Sequence, residues 1–104
     1  MSKLRHLGPT LLCAWILWSA GDSTGSKVSV PWNIQAAYPV YTACVQAARS
    51  AAIEESQLMS KDGDATWGPI RDDRSGQFAA VVKQKSGDTV RSYFRCLPDT
   101  IKNP

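Results

Sequence analysis

The clearest periodic segment is "YPVYTACVQAARSAAIEESQLM", residues 38–59. At a step of about 100° per residue, Val40, Tyr41, Cys44, Val45, Ala48, Ala51, Ala52, Leu58 and Met59 fall on one side. Thr42, Gln46, Arg49, Ser50, Glu54 and Gln57 fall opposite. This spacing predicts an amphipathic helix. Pro39 suits its first turn, and the dense alanines favour it. Ile53 and Glu55 break the pattern; Glu55 sits in the last turns, where its carboxylate reaches water. A stripe built from alanines lets another element approach closely.

After the helix the period changes to two. "TWGPIR", "QFAAVVKQK" and "TVRSYFRCL" read as three short strands, with "DDRSG" and "SGD" as the turns between them. Gly68-Pro69 makes the first of these an edge strand or a strand with a break. Asp62-Gly63-Asp64 resembles a fragment of a calcium loop. The run lacks alternating oxygen ligands and a closing glutamate, so it reads as a turn. In the last hairpin, Phe78, Ala80 and Val82 share one face with Val90, Ser92, Phe94 and Cys96 only if the loop is odd. A three-residue loop Ser86-Gly87-Asp88 meets that condition and places Phe78 near Cys96 and Ala80 near Phe94. An even loop would set Val82 against Arg91 and turn one apolar set outward.

The expected fold is therefore α+β, with one amphipathic helix packed on a three-stranded antiparallel sheet. Cys44 on the helix stripe and Cys96 on the inward strand face point toward each other. A disulfide between them closes a loop of about fifty residues.

The N-terminal part changes the picture of where the protein works. Lys3 and Arg5 precede an apolar run, Leu11 to Trp18, followed by "SAGDSTG". That order is the signature of a secretory signal peptide. Ser19 and Gly21 fit a cut after Gly21; a cut after Ala20 is the other option, and an uncleaved anchor is the competing reading. The domain boundaries follow: 1–21 signal peptide, 22–37 linker or extended arm that turns apolar around Val28, Val30 and Trp32, 38–104 the small α+β domain. The run is too short for a stable membrane span after cleavage. Cys13 leaves with the signal, so the three cysteines become one pair in an oxidising compartment, periplasmic or secreted.

Charge and chemistry narrow the function further. The chain carries a formal net charge of +3. Without Lys3 and Arg5, ten basic residues stand against nine acidic ones, which does not support nucleic-acid binding. His6 is the only histidine and lies in the signal. Histidine-based nucleophilic catalysis and histidine metal sites are thereby excluded from the mature protein. No cofactor or metal motif is present. The aspartates cluster in turns, which is ordinary turn chemistry. Only Asp64, Asp72 and Asp73 gathered around one pocket would suggest a paired-carboxylate hydrolase. The remaining candidate is the outward sheet face: Lys83, Lys85, Arg91, Tyr93 and Arg95, an arginine-flanked tyrosine suited to an anionic ligand. The competing reading is a solvated face whose basic stems cover the strands.

"RCLPDT" following a helix with "YPVYTAC" resembles a group of small exported alphaproteobacterial proteins with a C-terminal Cys-Leu-Pro-Asp-Thr motif. The resemblance spans about Tyr38 to Thr100. It implies bacterial export and the importance of Cys44 and Cys96, and it brings no activity or binding residues. The expected function is a small exported, non-catalytic binding or structural module of the cell envelope. Its partner would be an envelope protein or an anionic polymer. The alternative is a periplasmic carrier of an anionic ligand.

Overall fold

The computed structural model describes residues 14–25, 29–70 and 76–101. In chain order these form β1 (Trp15–Ser23), β2 (Ser29–Tyr38), α1 (Tyr41–Met59), β3 (Gly63–Pro69), β4 (Gln77–Gln84) and β5 (Thr89–Pro98). The strands make one sheet in the order β2-β1-β5-β4-β3, and every neighbouring pair is antiparallel. The fold is α+β, with the helix packed on the sheet. The sheet has five strands, however, and not the expected three.

The two additional strands come from the stretches assigned to the signal and the arm. β1 pairs with β5 over its whole length, from Trp15 opposite Pro98 to Ser23 opposite Val90. On its other side it pairs with β2. Leu17 and Trp18 point to opposite faces, and both are buried. A strand covered on both faces has no polar alternation, so its sequence is a continuous apolar run. A short run of that kind matches the apolar part of a signal peptide equally well.

α1 starts at Tyr41 with Val40 as its N-cap residue, so Pro39 lies just outside it. Its buried row is Cys44, Ala48, Ala52, Ser56 and Met59. Leu58, expected on this side, is 56% exposed, and Ser56 takes the inward place. The reason is geometric: a row of i+4 steps is inclined to the helix axis, so the contact stripe drifts around the helix. The Ser56 hydroxyl donates to the Ile53 carbonyl at 2.7 Å, which satisfies it within the helix. At the periphery, Ser92 Oγ donates to Glu55 Oε2 at 3.1 Å and ties the helix to β5.

The main core joins Leu17, Cys44, Ala48, Ala52, Phe78, Phe94 and Cys96. A second cluster of Met59, Ala80 and Val82 continues it under the end of the helix. Cys44 and Cys96 are disulfide-bonded, with their Cα atoms 6.0 Å apart and a sequence separation of 52. The small alanines at 48 and 52, both fully buried, are what allow the helix to lie this close.

The β4–β5 hairpin keeps the expected parity but not the expected register. Phe78 faces Phe94, Ala80 faces Ser92 and Val82 faces Val90. The Gln84 amide donates to the Asp88 carbonyl at 2.8 Å, so the odd loop is Lys85-Ser86-Gly87 rather than Ser86-Gly87-Asp88. Gly87 has φ of 98°. A three-residue hairpin loop ends on a residue in that left-handed region, which selects glycine for the last position. This moves the pairing by two residues.

β3 lies at the sheet edge as expected, and Pro69 ends it. Gly63 begins β3 so close to β4 that a Cβ there would collide with the Lys83 carbonyl oxygen. Gly63→Ala is therefore expected to destabilise the fold by about 2 kcal/mol. Urea unfolding of the two proteins measures it, and equal midpoints would show that the strands separate without cost.

Candidate binding face

Because α1 covers one face of the sheet, the candidate face lies on the other. Three outward rows cross β1, β5 and β4. They are Trp18, Arg95 and Gln77; Ala20, Tyr93 and Ala79; and Asp22, Arg91 and Val81. Arg91 is not free to meet a ligand as a bare charge. Its Nε donates to Asp22 Oδ1 at 2.9 Å, and Tyr93 donates its phenolic hydrogen to Asp22 Oδ2 at 3.3 Å. Asp22 was assigned to a linker by sequence, and its role here arises only because β1 is in the sheet.

The Asp22 contacts also set the electrostatics. The Asp22 hydrogen bond raises the Arg91 pKa, with smaller contributions from the charges of Tyr93 and Asp22, so the guanidinium stays charged. Burial raises the Tyr93 phenol above its ordinary value, and the Asp22 charge and hydrogen bond raise it further against the opposing pull of Arg91. The neutral phenol is thus the form the fold favours. Any stability from this preference is complete below the ordinary phenol pKa and is lost as pH rises through the raised value. Asp22→Asn is expected to bring the Tyr93 titration down toward the ordinary range. Ultraviolet difference titration follows it, and an unchanged curve would contradict the Asp22–Tyr93 contact.

Trp32 of β2 brings its ring to 6.5 Å from that of Tyr93. Between them is an open cleft of about 290 Å³ lined by Ala20, Gly21, Asp22, Val30, Trp32 and Tyr93, with Ser29 and Pro31 at its margin. By sequence, Trp32 belonged only to the extended arm. Two buried donors stand on this face as well: Trp18 Nε1 and Arg95 Nε have no hydrogen-bond partner among the described residues, and the two residues are opposite each other.

The lysines sit elsewhere. Lys83 faces Asp64 on β3 and Thr89 on β5, and Lys85 lies in the hairpin loop. Together with Gly63, Asp64 and Gln84 they line a separate open hollow of about 340 Å³. The five sequence candidates therefore fall into two groups, Arg91, Tyr93 and Arg95 beside the Trp32 cleft, and Lys83 and Lys85 at the opposite side. A residue's parity in a strand gives its face, but not its neighbours across the sheet.

Among the described residues, no three His, Cys, Asp or Glu side chains converge on a metal position. Asp64 lies beside Lys83, while Asp72 and Asp73 are outside the described residues. Among the described residues, no helix is long and apolar enough to cross a membrane. No family model matches the chain, and neither does any curated protein or solved structure.

Proposed function

We propose that this is a small exported, non-catalytic module of the bacterial envelope that binds an anionic polymer through the outward face of its sheet. The observation that carries this reading is the cluster of basic and aromatic side chains on the face of the sheet away from α1. α1 packs on the inner face, while the outer face carries Arg91 and Arg95 beside the Tyr93 and Trp32 rings, and Lys83 and Lys85 lie apart from them, toward β3. Arg95 adds a second guanidinium to this face, and its buried Nε has no hydrogen-bond partner among the described residues. The disulfide supports an oxidising compartment. A carrier with an apolar cavity between helix and sheet is less well supported, since Ala48 and Ala52 close that space.

Heparin serves as a generic polyanion to test the reading. At low salt, Lys83→Ala with Lys85→Ala is expected to weaken binding about ten-fold, from roughly 1.4 kcal/mol spread over two charges. Arg95→Ala should weaken it further. Binding that is absent in the native protein, or unchanged in both variants, would overturn the proposal in favour of a protein partner or a merely solvated face.

A further inference from the structure

We infer that residues Ala14–Ser23 remain in the working protein, and that any removal of a leader takes place on the N-terminal side of Ala14. The pattern of small residues around Ser19 and Gly21 points to a cut there, but the fold places that bond in the middle of its sheet. Among the described residues, β1 is the only link between β2 and β5 in the strand order. A cut after Gly21 would remove Trp15 to Gly21, leaving only Asp22 and Ser23 of the strand. β2 would then have no partner. The edge of β5 carrying Phe94 and Cys96 would lose its pairing with Ser19 and Leu17, leaving an open row of donors and acceptors beside the disulfide.

The segment's first residue is held as firmly as its middle. Ala14 is buried, and its carbonyl accepts from the Asp99 amide at 3.0 Å. Beyond the far end of the strand, the Thr24 amide donates to the Thr89 carbonyl at 2.9 Å, and Thr24 Oγ1 accepts from the Thr89 amide at 3.0 Å. Continuous pairing from Ala14 to Thr24 is what a structural strand needs and what a discarded leader does not. The candidate cleft depends on the same residues, because Ala20, Gly21 and Asp22 form one of its walls. This inference does not rest on polymer binding, and a negative binding result leaves it untouched.

The test is to express the whole chain in a bacterial host and isolate the folded, oxidised fraction from every compartment. N-terminal sequencing and intact mass then identify its first residue. The expected product starts at Ala14 or earlier. Any species starting at Gly21 or Asp22 should be confined to the degraded fraction, or should lack a cooperative unfolding transition. A product that begins at Gly21 or Asp22, carries the Cys44–Cys96 bond and unfolds cooperatively would overturn the inference.

Discussion

Replacing Cys44 and Cys96 together by alanine is expected to cost about 4 kcal/mol in the chain-entropy account of a loop of this length. In a domain of this size that corresponds to a fall of roughly 15–30 °C in Tm. The bond joins the first turn of α1 to the inward face of β5, and both elements pack in the core with Phe78 and Phe94. It therefore restrains the unfolded chain and does little to shape the native core, in which both sulfurs are already buried. The double variant should keep its far-ultraviolet circular dichroism at low temperature. Thermal unfolding of oxidised and doubly substituted protein measures the effect, and equal midpoints would show that the bond adds nothing.

The second large effect concerns β1. Leu17 is 5% exposed and belongs to the same core cluster as Cys44 and Phe78. Leu17→Asp would remove that packing and bury a carboxylate against Cys96 and α1. The expected loss is about 4 kcal/mol or more, from lost burial together with desolvation of the acid. Total stability of a small domain is of similar order, so the variant should be largely unfolded at 37 °C. Ser19→Ala, at a position facing Asn33 and Phe94 in neighbouring strands, serves as the mild control. If Leu17→Asp unfolded at the native midpoint, β1 could not be part of the core.

The parts of the fold that were legible in sequence are those whose pattern has one physical explanation. The helix could be read from alanine density and from Cys44 at the centre of an apolar stripe. The inward set of β4 and β5 followed from alternation, and the Cys44–Cys96 bond followed from both patterns together. What was not legible came from patterns with two explanations. "WILW" satisfies both a buried central strand and the apolar part of a leader, and local composition does not separate them. β2 gave no alternating signal, because Pro31 and two register shifts relative to β1 break its period and most of its residues are exposed. The hairpin register depended on which loop position would hold Gly87, since parity permits either of two registers.

The candidate site was half visible for the same reason. Arg91, Tyr93 and Arg95 share a face by parity, and that is where the structure places them. Asp22 and Trp32 belong to β1 and β2, so their meeting with Tyr93 depends on long-range pairing. The aromatic residues and isoleucine in "WILWSAGDS" were the available signal, since such residues favour strands.

β1 is an integral, inner strand of the oxidised domain. Backbone amide exchange on the intact protein tests it most directly. The amides of Ile16 to Ser23 should exchange by the same global opening as those of Phe78 to Val82, with protection within about ten-fold of theirs. Free exchange across Ile16–Ser23 while β4 and β5 remain protected would contradict the account.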